Sequence, residues 1–278
     1  MEKRSRSFYI LAVFFALFVL FLYGPVLTIG VLSFQGPQGG LTFPMNGVSL
    51  HWFRDLFQEQ AVGDIWGSFR RSFALGMMVM VTTVVVSVLG GLAFRKRFKG
   101  SGLLFYMAIA SLVIPSILVS LGVGLIFNQL GLPVHWASSG YGSQLTWTLP
   151  FGLLIMFAVF NRFDKSYEEA ARDLGATSWQ TIAHVVLPII APSLLGVALF
   201  GFTLSYDEFA RTLLTSGSYN TLPLEIFGMT TNVTTPVIFA LGTLTTFFSL
   251  CVIGLFFLAV WVSSRRKDKS SDAGKGMV

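Results

Sequence analysis

The amino-acid sequence predicts an all-α integral membrane protein that crosses the bilayer six times, with both the N and the C terminus in the cytoplasm. Of the 278 residues, 54% are hydrophobic and only 12% are charged, against about 25% charged residues in soluble domains. Six apolar stretches approach or exceed the roughly 20 helical residues that cross the hydrocarbon layer. The Lys and Arg residues alternate between the ends of these stretches in a way that favours one orientation.

The six predicted spans make up a single membrane domain over residues 1–278. They cover residues 8–34, 72–94, 103–127, 146–160, 189–214 and 237–263. The first apolar run lacks a small-residue cleavage site, so we expect a span there and not a cleaved signal. The fourth is the shortest, and we expect it to begin or end in a partly aqueous cleft. In the outer loop that follows the first span, Ser49 is placed to cap a short helix with one aromatic face.

The third predicted span is interrupted by Pro115, and Ser116 follows directly. Proline in a helix frees carbonyl groups that need new partners, so a kink here could flank a transport cavity. Ser120, Gly122 and Gly124 continue the segment, and small residues serve equally well for close helix packing. Both interpretations stay open.

Fifteen of the 19 Lys and Arg residues lie before the first span, after the second, after the fourth and after the sixth. All of these positions are on one side, which is the cytoplasmic side by the positive-inside rule. The exceptions are Arg54, Arg70, Arg71 and Arg211. The net charge of +6 therefore indicates topology and not binding to nucleic acid.

The sequence shows no constellation typical of a metal or catalytic site. Its single cysteine, Cys251, excludes an intrachain disulfide and a cysteine-based metal cluster. His51, His135 and His184 are scattered over both sides of the predicted membrane. The chain has no G-x-x-x-x-G-K-[ST] phosphate-binding loop, so any ATP-derived energy must come from another subunit.

The cytoplasmic loop at residues 164–188 is predicted to form two short helices joined at a glycine. Asp164 or Ser166 can cap the first helix, and the early acidic pair Glu168 and Glu169 suits the positive end of its dipole. Gly175 can supply the left-handed residue that ends it.

The second short helix can be capped by Thr177 or Ser178, and Pro188 marks the return toward the membrane. Ala170 and Ala171 are small enough to let another surface approach the first helix closely. Nearby acidic groups, Asp173 among them, would attract a basic surface.

This loop resembles the EAA signature of binding-protein-dependent ABC importer permeases. The matching residues are Glu169, Ala170, Ala171, Gly175, Leu187 and Pro188, and Val185 stands where isoleucine is usual. The resemblance implies a MetI-like type I importer permease fold in a bacterial cytoplasmic (inner) membrane, with core spans over residues 72–263 and a peripheral first span (8–34). It also implies that Glu168–Pro188 couples the spans to separate ATPase subunits.

The same resemblance implies the other parts of the assembly. A homologous second permease subunit and a periplasmic or extracellular solute-binding protein are the expected partners, with ATP and Mg bound by the ATPase subunits and no cofactor by this chain. The outer segment 217–236 is rich in Thr, Ser, Asn and Gly and is a candidate docking surface for the solute-binding protein.

The resemblance extends to the runs 202–209, 215–217 and 221–227, which are similar to the spermidine/putrescine-type second permease. Relatives of that branch also import other small organic nitrogen compounds and phosphonates, so the similarity names a class of solute and not one solute.

Asp207, Glu208 and Arg211 are candidates for the solute path, and Tyr206 and Asn161 are weaker ones. Ionisable groups deep in a span are costly and are functional candidates by default. Two carboxylates suit a polyamine ammonium. Arg211, however, is spaced to pair with Asp207 or Glu208 on a helix and can itself bind a carboxylate or phosphonate. The sequence therefore leaves three alternatives: a cationic solute, a zwitterionic, opine-like or phosphonate-like solute, or a self-contained structural triad.

The rival from another functional class is a self-sufficient secondary transporter or channel that uses these intramembrane charges. It predicts inverted internal repeats, which the sequence does not show.

Overall fold

The computed structural model describes residues 5–58, 63–96, 98–232 and 235–275, and most of these residues are helical. The helices are α1 (Arg6–Leu32), α2 (His51–Asp55), α3 (Ile65–Phe94), α4 (Ser101–Val113), α5 (Ser116–Gln129), α6 (Tyr141–Asn161), α7 (Ser166–Asp173), α8 (Ser178–Thr181), α9 (Leu187–Tyr206), α10 (Leu222–Asn232) and α11 (Val237–Lys275). Two π-helical turns, Trp136–Gly140 and Ile182–Val186, lead directly into α6 and α9. Within the described ranges the only extended pairing is one bridge between Gln35 and Val48.

The predicted all-α membrane fold is confirmed. Five apolar helical segments are long enough to cross a bilayer, and a sixth is obtained when the bent pair α4 and α5 counts as one span. The cytoplasmic placement of the termini stays a prediction.

The third span is broken more sharply than expected. Helices α4 and α5 meet at 107°, and Ile114, the residue before Pro115, is extended with φ −70° and ψ 127°. Proline disfavours the helical region for the residue that precedes it, which explains the break. Each half is about 20 Å long at 1.5 Å per residue, which is shorter than the hydrocarbon layer.

The fourth span is longer than the predicted 146–160, because helical structure already begins at Trp136. The early part is rich in serine and threonine, which lowered its apparent hydropathy. Ser139 and Ser143 are nevertheless fully buried. Their hydroxyls donate to the carbonyl oxygens of Thr215 and Arg211 at 2.7 and 3.0 Å.

The fifth span ends at Tyr206, eight residues before the predicted end. Residues 207–216, called here the Arg211 segment, continue as a series of turns. Asp207, Glu208 and Arg211 are therefore not on a continuous helix, and the helical spacing that would pair them does not apply.

The chain forms two compact units, one of residues 1–65 and 226–250 and the other of residues 66–225 and 251–278. In the first, the Ser49 hydroxyl accepts from the His51 backbone N–H at 3.0 Å, and Trp52 and Leu56 are buried. In the second, a buried cluster joins α6 to the start of α9: Met156, Phe160, Val186, Ile190 and Val197.

Small residues allow α3, α6 and α9 to approach closely, as is common for membrane helices. A Cβ atom on Gly152 would lie 2.1 Å from the Ser87 Oγ atom, and one on Gly201 would lie 3.2 Å from the Met80 Cα atom. The buried hydroxyl of Thr83 donates to that of Thr148 at 3.0 Å across α3 and α6. After Pro115, a Cβ atom on Gly124 would lie 2.8 Å from the Leu214 carbonyl oxygen, whereas Gly122 has nothing within 4 Å. The Ser120 hydroxyl accepts from the Leu214 backbone N–H at 3.0 Å.

Candidate functional site

The first candidate site is the loop at residues 164–188, called here the coupling segment after the role that the sequence resemblance implies. Its capping residues explain part of its local structure. Lys165 occupies the N-cap position of α7 without a side-chain cap, and the Asp164 carboxylate, one residue earlier, accepts from the Ser166 backbone N–H at 2.9 Å. Hydrogen bonds from the backbone and the side chain of Ser166 lower the pKa of the Asp164 carboxyl. Glu168 and Glu169 occupy the first turn of α7, where the helix dipole favours negative charge.

The turn between the two short helices depends on Gly175 and Thr177. Gly175 has a φ of +87°, a left-handed conformation that glycine adopts at little cost. Its N–H donates to the Arg172 carbonyl at 2.8 Å. Thr177 and Gln180 form a reciprocal capping box at the start of α8. The predicted helix–glycine–helix elbow is confirmed.

The outward surface of the coupling segment combines apolar and acidic side chains. Leu174 is 90% exposed, Trp179 is 73% exposed and Tyr167 is 54% exposed. Glu169, Ala170 and Asp173 are also exposed, whereas Ala171 is half-buried. Leu174 and Trp179 are not among the residues predicted from the sequence. A large apolar residue beside a helix-ending glycine, and a tryptophan in a loop rich in polar residues, were the available signals.

The C-terminal end of the coupling segment packs against the buried cluster of α6 and α9. Leu187 is half-buried against the buried cluster that contains Val186 and Ile190. Pro188 is the second residue of α9, directly after the π-helical turn Ile182–Val186, and is exposed. Leu187 therefore packs this end of the segment against the core, whereas the large exposed side chains lie earlier in the segment.

An ion pair connects the coupling segment to α3. The Arg95 Nη1 atom lies 2.5 Å from the Glu168 Oε1 atom, and the two side chains are only 18% and 13% exposed. The Arg95 Cζ atom also lies 5.1 and 5.3 Å from the ring centroids of Phe160 and Phe163. Arg95 is another residue that the sequence did not single out, because its partner is 73 positions away.

The second candidate site is the Arg211 segment, in which Arg211 itself is buried at 1% exposure. Its Nη1 atom donates to the Thr146 Oγ1 atom at 2.5 Å. Its Cζ atom lies 5.3 Å from the Trp147 ring centroid, within the range of a cation–π contact. Its Nε atom has no hydrogen-bond partner among the described residues.

The acidic side chains of this segment do not pair with the Arg211 side chain as the sequence predicted. The Glu208 carboxylate accepts from the Arg211 backbone N–H at 3.0 Å, and the Thr212 hydroxyl donates to the Glu208 carbonyl. Glu208 therefore caps the turn. Asp207 is exposed, and among the described residues neither carboxylate forms an ion pair with the Arg211 guanidinium.

The remaining path candidates do not gather around Arg211. Tyr206 is buried and stacks on Phe202 with a centroid distance of 5.6 Å. Asn161 is exposed at the other end of α6, about 22 Å along the helix from Thr146. Pro115 and Ser116 start α5, and it is Ser120 that contacts the Arg211 segment.

Two of the four basic residues that break the charge rule have partners within the protein. The Arg71 Nε atom donates to the Asn220 carbonyl at 2.6 Å, and Arg211 binds Thr146. Among the residues with described placement, no group of three His, Cys, Asp or Glu side chains is arranged to hold a metal ion.

Residues 83–267 match the family described as the binding-protein-dependent transport system inner membrane component. The chain is 28% identical to the spermidine/putrescine transport system permease protein PotC of Haemophilus influenzae, over 90% of this chain and 96% of that protein. It is 27% identical to the putrescine transport system permease protein PotI of Escherichia coli K12, over 90% and 88% of the two chains.

Two solved structures share the fold. A chain of a bacterial ABC transporter for the acidic polysaccharide alginate aligns with a TM-score of 0.62 at 18% identity, covering 97% of this chain and 99% of that one. A chain of the inward-facing MetNI methionine ABC transporter aligns with a TM-score of 0.54 at 17% identity, covering 72% and 94%. Because the family match spans well over half of the sequence, the chain belongs to the binding-protein-dependent transport system inner membrane components, a family of multi-pass transport subunits and not of enzymes.

Proposed function

We propose that this chain is the permease subunit of an ATP-driven ABC importer for a small organic cation of the polyamine class, and that the coupling segment docks onto a separate ATPase subunit. The observation that carries the docking proposal is the exposed surface formed by Leu174, Trp179 and Glu169. Family membership in a binding-protein-dependent system supports it, and the rival of a self-sufficient transporter has no such support.

Exposure of Leu174 and Trp179 is unfavourable in water, since each fully buried large apolar side chain contributes roughly 1.5–3 kcal/mol. Both follow the end of α7, in a loop that charge placement assigns to the cytoplasm, so a cytoplasmic protein partner can cover them. A protein partner with an apolar cleft and a basic rim matches the two apolar side chains beside Glu169 and Asp173.

In this proposal the permease does no bond chemistry. The ATPase subunits bind ATP and Mg, and their closure moves the coupling segments of this chain and of a homologous second permease subunit. A solute-binding protein delivers the solute to the outer face. The permease contributes two conformations whose relative stability the bound nucleotide changes.

The solute class rests on the relatives and on the distribution of charge in the Arg211 segment. PotC and PotI are named for spermidine and putrescine transport. The Arg211 guanidinium is buried and faces Thr146 and Trp147, whereas the Asp207 carboxylate is exposed. The accessible charge of this segment is therefore negative, which suits an ammonium group.

A zwitterionic, opine-like or phosphonate-like solute is the second candidate, and one observation favours it. The Arg211 Nε atom is buried without a hydrogen-bond partner among the described residues, so it could donate to a solute anion if the segment opened. Asp207→Asn distinguishes the two candidates in reconstituted transporter. We expect putrescine uptake to fall about tenfold, the cost of one charged hydrogen bond, while uptake of an anionic amino-acid derivative stays unchanged.

Co-purification tests the docking proposal. The double variant Leu174→Ala/Trp179→Ala should lose most of the ATPase subunit that co-purifies with the wild-type permease. Leu130→Ala is the matched control, because Leu130 is 67% exposed and lies outside the coupling segment. Equal recovery of the ATPase subunit with both variants would refute docking through this surface.

A further inference from the structure

Glu168 and Glu169 are neighbours in the first turn of α7, yet their side chains have different surroundings. Glu168 is 13% exposed and is bonded to Arg95. Glu169 is exposed and remains available to a partner protein. One acidic residue of the pair therefore faces the permease and the other faces outward.

Arg95 contacts three parts of the permease with a single side chain. It is the first residue after α3, and its guanidinium bonds to Glu168 in α7. The same guanidinium lies over the rings of Phe160, at the end of α6, and Phe163, in the link between α6 and α7. Because a guanidinium is planar and rigid, it can hold a carboxylate and stack on aromatic rings at the same time.

The low exposure of this pair makes it stronger than an ordinary surface ion pair. Exposed pairs contribute little, because water and salt screen them. A partly buried pair is screened less, and removal of one partner leaves the other charge poorly solvated. Glu168 has a second, weaker contact with Arg172 at 3.4 Å, but the Arg172 side chain is 59% exposed. Arg95 is therefore the main partner.

Helix α3, which ends just before Arg95, packs closely against α6 and α9. A Cβ atom on Gly91 in α3 would lie 2.7 Å from the Phe160 ring, and one on Gly76 would lie 3.0 Å from the Phe202 ring in α9. Such close contacts leave little space for α3 to shift independently of α6 and α9. Movement imposed on the cytoplasmic end of α3 would therefore reach the spans that bury the Arg211 segment.

We propose that the Arg95–Glu168 ion pair transmits movement of the coupling segment to α3. This inference rests on the proposed docking function but is separable from it. Glu169, Leu174 and Trp179 bind the ATPase subunit, whereas Arg95 and Glu168 are positioning residues that make the bound segment move the spans. Loss of the ion pair should leave the ATPase subunit bound to the permease. The binding protein should then no longer stimulate ATP hydrolysis by that subunit.

The test uses the complete transporter, reconstituted with its ATPase subunits, second permease and solute-binding protein, the last as isolated with its own solute. The variants are Arg95→Gln, Glu168→Gln and the charge exchange Arg95→Glu/Glu168→Arg. Arg162→Gln is the matched control, since it removes the same charge from an exposed side chain nearby. Three quantities are measured: co-purification of the ATPase subunit, basal ATP hydrolysis, and the stimulation of hydrolysis by the binding protein.

We expect the two single variants to keep co-purification and basal hydrolysis, and to lose about tenfold in stimulation, the scale of coupling through one contact network. The charge exchange should recover only part of the stimulation, because it restores the ion pair but not the contacts of Arg95 with the Phe160 and Phe163 rings. Arg162→Gln should match the wild type. Wild-type stimulation in the single variants would overturn the inference, and so would an exchange variant with less stimulation than both single variants. Loss of co-purification in the single variants would also overturn it, because the pair would then serve docking. If the wild-type permease retains no ATPase subunit, the proposed docking function fails instead.

Discussion

The Ser143 hydroxyl donates a hydrogen bond of 3.0 Å to the carbonyl oxygen of Arg211, and both residues are buried. This bond joins the start of α6 to the turns that follow α9. Thr215 donates to the same carbonyl, and Ser139 donates to the carbonyl of Thr215. Hydroxyl groups therefore form hydrogen bonds with carbonyl groups of the non-helical backbone at this position. Buried irregular backbone in a membrane protein requires such partners.

The first prediction concerns the hydroxyl that supports the buried Arg211 charge. Thr146→Val removes the acceptor of the guanidinium and a hydrogen bond to the Ser143 carbonyl. We expect a loss of about 2 kcal/mol in the free energy of unfolding, the cost of a buried donor left unsatisfied. Thermal unfolding in detergent measures it. Thr146→Ser keeps the hydroxyl and should be close to the wild type, so equal destabilisation by both variants would contradict this account.

The second prediction concerns close packing between α3 and α6. Gly152→Ala places a Cβ atom 2.1 Å from the Ser87 Oγ atom, 2.9 Å from the Thr83 Cγ2 atom and 3.1 Å from the Ser87 Cβ atom. Rotation of the Ser87 hydroxyl does not relieve the last two contacts, so the helices must separate at a cost of about 1–3 kcal/mol. Addition of Ser87→Gly to the Gly152→Ala variant should recover part of the lost stability. Gly142→Ala, in the same helix with nothing within 4 Å of its Cβ position, is the control. The yield of folded protein and its unfolding temperature report the effect, and a Gly152→Ala variant as stable as Gly142→Ala would rule out tight packing.

The third prediction concerns the elbow of the coupling segment. Gly175→Ala meets no steric obstacle, so its cost is the left-handed conformation alone, about 1 kcal/mol for a residue with a Cβ atom. If docking requires this turn, affinity for the ATPase subunit should fall about fivefold. Gly196→Ala, in α9 with an equally open Cβ position, should leave the affinity unchanged. Titration of the ATPase subunit against each permease variant gives the comparison.

The fourth prediction concerns the cap of α7 and its dependence on pH. The pKa of Asp164 is lowered by its bonds to Ser166, so the cap is present above the ordinary carboxyl pKa of about 4 and is lost only as the pH falls through the lowered value. Docking should therefore not change between about pH 5 and pH 8 on account of this group.

Substitution at position 164 tests the same cap at neutral pH. Asp164→Ala removes the acceptor and should weaken ATPase binding, whereas Asp164→Asn retains an acceptor and should weaken it less. Equal binding by the alanine variant and the wild type would show that docking does not depend on this cap.

The sequence predicted those features that depend on local chemistry. Gly175 and Thr177 each determine a turn or cap within a few positions, and both are placed as expected. Asp164 accepts from the first N–H of α7, although Lys165 occupies the N-cap position. Pro115 predicted an interruption, because its effect on Ile114 is also local. The 107° angle between α4 and α5 could not be predicted, since it depends on what each half contacts.

Features that depend on distant partners were missed or wrong. The start of α6 was placed too late because Ser139 and Ser143 are polar in sequence, and their acceptors lie about 70 positions away. The pairing of Arg211 with Asp207 or Glu208 assumed a helix that had already ended at Tyr206. The partner of Arg95 could not be recognised, because spacing gives no information on contacts between separate helices.

Site-specific cross-linking tests the central claim, docking through the coupling segment, most directly. The chain has one cysteine, Cys251, so Cys251→Ser provides a background without thiols for Leu174→Cys and, as control, Leu130→Cys. The account predicts that a short cross-linker with one thiol-reactive and one amine-reactive end joins the Leu174→Cys variant to an amine of the ATPase subunit in the assembled transporter, and does not join the Leu130→Cys variant to it. No cross-link from position 174, or equal cross-linking from both positions, would contradict the claim.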